Sequence, residues 1–88
     1  MKINKFKKFT ETYGEEFGVT YHGEYGGRGF HSGIAVRAES IYGIAKFVSE
    51  MEKNKIKLGS WDHQDQLGYG HVFSWSKSRF DDVREVAA

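Results

Sequence analysis

Four histidines are the side chains of this sequence best suited to chemistry near neutral pH. His22 and His31 lie in the first half of the chain, and His63 and His71 lie in the second half. Because an imidazole gains or loses a proton in this pH range, it can act as a general acid or base. Nearby residues supply the other groups that a metal-independent ribonuclease needs, namely Tyr21, Glu24, Tyr25, Arg28 and Arg37.

Neutral imidazoles also bind zinc, copper and nickel well. The spacing of these histidines matches no compact ligand motif, and the chain has no cysteine to complete a thiolate site. We therefore expect no metal and no cofactor. Histidines in an aromatic-rich protein are more often ordinary polar residues than catalytic ones, so a small ribonuclease is kept as the second alternative function.

A second candidate lies between residues 25 and 30, where arginine, glycine and aromatic residues are interleaved. Such segments contact RNA or single-stranded DNA, because guanidinium groups and rings stack on bases. Lysines are concentrated near residues 2–8 and 53–57. An RNA-binding or single-stranded nucleic-acid-binding module is therefore the first alternative. The net charge of +1 is low for a nucleic-acid domain, and a plain hairpin turn also explains the glycines.

The preferred interpretation is a protein that acts by occupying another macromolecule. Aromatic and arginine side chains at hairpin tips are the residue types that anchor interfaces, and edge strands can extend a partner's sheet. The residues expected to bind a partner protein or nucleic acid are His22, Tyr25, Arg28, Phe30, His31, Arg37, Tyr69, Lys5 and Lys8.

Two amphipathic helices would support these residues. Apolar side chains at steps of three and four predict a first helix that ends at Gly18, with the stripe Ile3, Phe6, Phe9, Tyr13 and Phe17. Ser40 is a good N-cap for a second helix that runs to about Asn54, with the stripe Ile41, Ile44, Ala45, Val48 and Met51. The lysines near the start of the first helix oppose its dipole. Either that helix begins later, near Thr10, or the lysines serve a partner.

Each helix is followed by a predicted β-hairpin. Strands from Val19 to Tyr25 and from Phe30 to Ala38 flank Gly26-Gly27, a dipeptide suited to a two-residue turn. This register pairs His22 with His31 on an open face and Val19 with Ile34. It places a core on the other face, with Val19, Tyr21, Ile34 and Val36.

The second hairpin is predicted from Ile56 to Gln64 and from Tyr69 to Lys77, around a loop of residues 66–68 in which Gly68 is left-handed. His63 then faces His71 at the rim of an aromatic core face. The opposite face should see water, with Ser60, Asp62, Ser74 and Ser76.

The order αββαββ predicts an α+β fold, a four-stranded antiparallel sheet with two helices packed on one face. At 88 residues the chain fits one domain, 1–88, with a short helical tail at 79–88. The absence of cysteine and of a long apolar run favours a cytoplasmic protein with no membrane partner. A homodimer is left open.

In size and composition the chain is similar to small accessory proteins of tailed phages, being rich in Lys, Glu, Gly and Tyr and free of Cys and Pro. Many such proteins inhibit host defence or host enzymes. The resemblance implies a non-catalytic inhibitor that binds a host protein or a nucleoprotein complex, and it assigns no site residue.

Overall fold

A computed structural model describes residues 1–27, 30–68 and 70–83, with side chains described for all of these except 27, 30–32 and 83. Helix α1 (Ile3–Phe17) is followed by strands β1 (Val19–Gly27) and β2 (Phe30–Ala38), and helix α2 (Ile41–Lys53) by strands β3 (Asp62–Gln66) and β4 (Gly70–Ser76). Two short 3-10 turns follow, at Lys77–Arg79 and Asp81–Val83. The strands form one antiparallel sheet in the order β1-β2-β4-β3, which confirms the predicted fold.

Helix α1 follows the predicted stripe and begins at Ile3 rather than near Thr10. Phe6 and Phe9 are buried, and the helix ends at Gly18, whose φ of 70° favours glycine. The Ile3 N–H donates to both carboxylate oxygens of Asp82, at 2.9 and 3.1 Å. A carboxylate at this end offsets the unfavourable placement of the lysines in the helix dipole.

Helix α2 begins as predicted, because the Ser40 hydroxyl accepts a hydrogen bond from the Gly43 N–H at 3.0 Å. Its buried face differs from the predicted stripe. Ile44, Phe47 and Met51 are buried, whereas Ile41 and Ala45 are exposed. Burying Phe47 removes far more apolar surface from water than burying Ala45 would, so the helix is rotated toward the phenylalanine.

Both helices pack on the same face of the sheet. The sheet residues in the core cluster alternate along their strands and therefore share one face, and they are Val19, Ile34, Val36, Ala38, Phe73 and Trp75. Phe6 on α1 joins the layers, with its ring centroid 5.4 Å from that of Trp75 and 5.6 Å from that of Phe80.

The register of the first hairpin differs from the prediction. Gly26 and Gly27 lie in β1, so the turn predicted there is wrong, and the connection at 28–29 lies outside the described residues. Val19 pairs with Ala38 instead of Ile34, and the pairing is irregular between Tyr21 and Gly23 and between Tyr25 and Gly27. The shift at Val19 is an even number of residues, so the predicted core face is kept.

The second hairpin is shorter than predicted. β3 begins at Asp62 instead of Ile56, and within the predicted strand Gly59 (φ 74°) departs from extended geometry. Ile56 and Leu58 are nevertheless buried in the core. Gly68 is left-handed as predicted, with φ 83°. The predicted tail helix is replaced by 3-10 turns up to residue 83, and residues 84–88 lie outside the described part.

Within the described ranges, no helix is both long enough and apolar enough to cross a membrane.

Candidate binding surfaces

The structure does not gather the predicted binding residues into one cluster. Arg28 and Tyr69 lie outside the described residues, and the side chains of Phe30 and His31 are not described either. Lys5 and Lys8 are exposed on α1. Tyr25 and Arg37 are placed by the strand register on the sheet face away from the helices.

This second face, which carries Tyr25, Ala35, Arg37, Val72 and Ser74, is called the curled face. It was predicted to be open, and this is wrong at its centre, where Ala35, Val72 and Ser74 are buried. The Tyr25 hydroxyl accepts a hydrogen bond from the Gln66 side-chain amide. Tyr25 lies on β1 and Gln66 on β3, which are the two edge strands of the sheet. Since their side chains are hydrogen-bonded, the twisted sheet is curled so that its two edges approach each other on this face.

His22 lies at the β1 irregularity and is exposed, with its ring centroid 5.6 Å from that of Tyr25. The predicted pairing of His22 with His31 is wrong, since the residues of β1 on either side of His22 pair with Val36 and Ala35. The ribonuclease hypothesis therefore loses one of the two facing histidine pairs on which it was built.

The second histidine pair does meet. His63 Nε2 lies 2.9 Å from His71 Nδ1, and the His63 ring stacks on Phe73 at 4.5 Å and 7°. Asp65 Oδ1 is 3.9 Å from the same His71 nitrogen. The backbone pairing differs from the prediction, since His63 is opposite Phe73 and Asp65 is opposite His71. In the described part of the chain, no group of three or more histidine and acidic side chains could hold a metal ion.

The phenol of Tyr21 is partly buried beneath α1. Its ring centroid lies 6.2 Å from that of Phe6, and Lys7 Nζ lies 5.9 Å from it. Burial raises the pKa of this phenol above its ordinary value of 10.0, and the negative charges of Asp82 and Glu24 raise it further.

The two lysine-rich segments converge on a pocket of about 400 Å³ between the start of α1 and the segment after α2. This basic pocket is lined by Met1, Lys2, Lys5, Lys55, Ile56, Lys57 and Asp81. It adjoins a larger groove of about 570 Å³, because Ile56 and Lys57 line both. The aromatic residues of this groove are Trp61, which is 39% exposed, and buried Trp75.

Three large apolar side chains are exposed at the end of the sheet opposite to the basic pocket. Ile41 and Tyr42 begin α2 and are 53% and 82% exposed, and Leu67 in the β3–β4 turn is 103% exposed. Ala38, the last residue of β2, pairs with His71 near the start of β4. The start of α2, which follows β2, and the β3–β4 turn, which precedes β4, therefore lie at the same end of the sheet. We call Ile41, Tyr42 and Leu67 the apolar end.

No protein-family model, curated protein or solved structure matches this chain. Its function is therefore argued from these surfaces alone.

Sequence reasoning missed the groove and the part of the apolar end that lies on α2. Ile41 has the spacing of the buried stripe of α2, and Trp61 lies in a segment predicted to be a strand. Neither residue therefore shows, in the sequence, a pattern that is typical of a binding surface. The basic pocket did have a signal, in its two lysine segments, but nothing in the sequence shows that they meet.

Proposed function

We propose that this protein is a non-catalytic binding protein that acts by occupying a protein or nucleoprotein partner. The observation that carries the proposal is the apolar end. Large apolar side chains are usually buried, and tyrosine is among the residues that contribute most to binding when a partner covers it.

The geometry of the apolar end supports a protein as the occupant. Its members come from α2 and from the β3–β4 turn, both held by the same sheet, so the surface is formed before the partner arrives. A preformed surface has little conformational entropy to lose on binding. The proposal includes two further parts. The first is that the protein inhibits its partner in a host, as the resemblance to phage accessory proteins implies. The second is that it acts in the cytoplasm.

The test is affinity capture from a bacterial lysate with the tagged protein and with a Tyr42→Ala, Leu67→Ser double variant. Both side chains are exposed, so the variant should keep the stability of the parent. The proposal expects a stoichiometric protein that survives nuclease treatment and is lost with the double variant. A matched control, Glu52→Ala, changes an exposed residue near the other end of α2 and should retain the partner.

Two results would contradict the proposal. The first is a captured protein that binds the double variant as well as the parent. The second is concentration-dependent self-association that the double variant abolishes, measured by analytical ultracentrifugation, because the apolar end would then be a contact between two copies of this chain.

A further inference from the structure

We propose that the basic pocket binds the phosphate backbone of a single-stranded nucleic acid, and that the adjoining groove receives a base against Trp61. This site lies at the other end of the molecule from the apolar end. It therefore stands or fails independently of the proposed protein partner.

The charge of the pocket is the first support. Lys2, Lys5, Lys55 and Lys57 line one pocket, although some 50 residues of sequence separate the two pairs. None of the four forms an ion pair within residues 1–27, 30–68 and 70–83. Asp81, the carboxylate among the lining residues, already binds the Met1 amino group at 3.1 Å. Among the described lining residues, four ammonium groups thus stand against one carboxylate, and this excess of positive charge favours a ligand that carries several negative charges.

The backbone at Lys55 is the second support. Its φ of 60° is in the left-handed region, and within the described residues it is the one non-glycine residue found there. Glycine or asparagine takes this conformation more easily after a helix, so a lysine is not required by the turn itself. A strained residue whose side chain lines a pocket is a reasonable sign of a binding role.

The adjoining groove favours a single-stranded polynucleotide over other polyanions. A polynucleotide alternates phosphates with planar bases, which matches lysines next to a half-exposed indole. An acidic peptide offers carboxylates without the planar rings. A duplex keeps its bases stacked inside, where Trp61 could not reach them, so a single strand fits best.

The expected signature is a salt dependence. If four lysines each neutralise one phosphate, the logarithm of the binding constant should fall with the logarithm of salt concentration at a slope of about −2.8. Removing one of these lysines should reduce the steepness of that slope by about 0.7.

The experiment measures fluorescence anisotropy of labelled oligouridine and oligothymidine over a series of salt concentrations. Lys57→Ala should weaken binding and flatten the slope, while Lys46→Ala, which makes the same change of net charge away from the pocket, should leave the slope unchanged. Intrinsic fluorescence should be quenched on binding, since Trp61 is the partly exposed tryptophan and Trp75 is buried.

Lys55→Gly separates binding from folding. Glycine removes the left-handed strain, so this variant should melt at a higher temperature than the parent and yet bind the oligonucleotide more weakly, with a flatter slope. A lysine with a purely structural role would change the melting temperature without changing the slope.

Three outcomes would overturn the inference. The first is that the oligonucleotides do not bind at the lowest salt concentration. The second is that Lys57→Ala and Lys46→Ala weaken oligonucleotide binding equally. The third is that polyglutamate binds as tightly as the oligonucleotides without quenching tryptophan fluorescence. The last result would identify the pocket as a site for acidic peptides. Loss of the captured protein partner would leave this measurement unaffected.

Discussion

Gly43 is the position at which a single methyl group should be most informative about the packing of α2. A Cβ there would lie 2.2 Å from the Phe17 carbonyl oxygen, whereas ordinary van der Waals contact begins near 3.4 Å. The end of α1 and the start of α2 would have to separate by roughly 1 Å, because a backbone oxygen cannot rotate away as a side chain can. That movement would disturb Ile44 and Phe47, which are both buried.

The magnitude follows from two opposing effects. Alanine is favoured over glycine inside a helix by about 1 kcal/mol, while forcing extra volume into a packed contact costs about 1–3 kcal/mol. Because the contacted atom belongs to the backbone, the cost should lie in the upper part of that range. We expect Gly43→Ala to lower the free energy of unfolding by about 1–2 kcal/mol, which corresponds to a fall in Tm of roughly 5–15 °C for a domain of this size.

Urea titration followed by circular dichroism would measure this change. The matched control is Ala45→Gly, at an exposed position of the same helix, which loses helix propensity without creating any clash. If the close contact is real, both changes destabilise the protein. If helix propensity alone mattered, they would have opposite signs, and a Gly43→Ala protein more stable than its parent would refute the reasoning.

Three further predictions concern single side chains. Ser40→Ala removes the oxygen that accepts from the Gly43 N–H and should cost about 1 kcal/mol in urea titration, while Ser40→Asp, which keeps an acceptor, should cost little. Burial raises the pKa of Tyr21, so the unfolded chain loses this proton first and stability should fall as pH rises above 10.0; Tyr21→Phe should make that alkaline fall shallower, and an unchanged fall would argue against the shift. Tyr25→Phe removes the hydroxyl that accepts from Gln66 and should cost about 1 kcal/mol, with faster exchange of the β3 amides in hydrogen-exchange experiments; unchanged exchange would mean that this bond does not hold the edges together.

Local patterns predicted the presence of both helices and the core face of the sheet. The spacing of Phe6, Phe9 and Tyr13 is a property of α1 alone, and a period of two places a strand residue on one face whichever partner it pairs with. The register is different, because it depends on irregularities such as the one at His22 and on connections whose conformation the sequence does not state. This is why the core face was predicted correctly while the pairing of His22 with His31 was not.

The candidate surfaces depend on tertiary structure and were harder to predict. The lysines of the basic pocket are adjacent only because the start of α1 lies beside the segment that follows α2. Ile41 has the right spacing for burial, yet it is exposed because α2 is rotated so that Phe47 faces the core. Both outcomes are set by the packing of elements distant in sequence.

The strand order has a consequence for how the chain must fold. Each αββ unit places its first strand at an edge of the sheet and its second in the centre, so the two units meet along β2 and β4. A fragment that ended after α2 would leave β2 with an unpaired inner edge that carries Ile34 and Val36, a surface prone to intermolecular pairing. Because the contacts that cover this edge come from residues some 40 positions away, they form late, and the protein should fold as one cooperative unit rather than by halves.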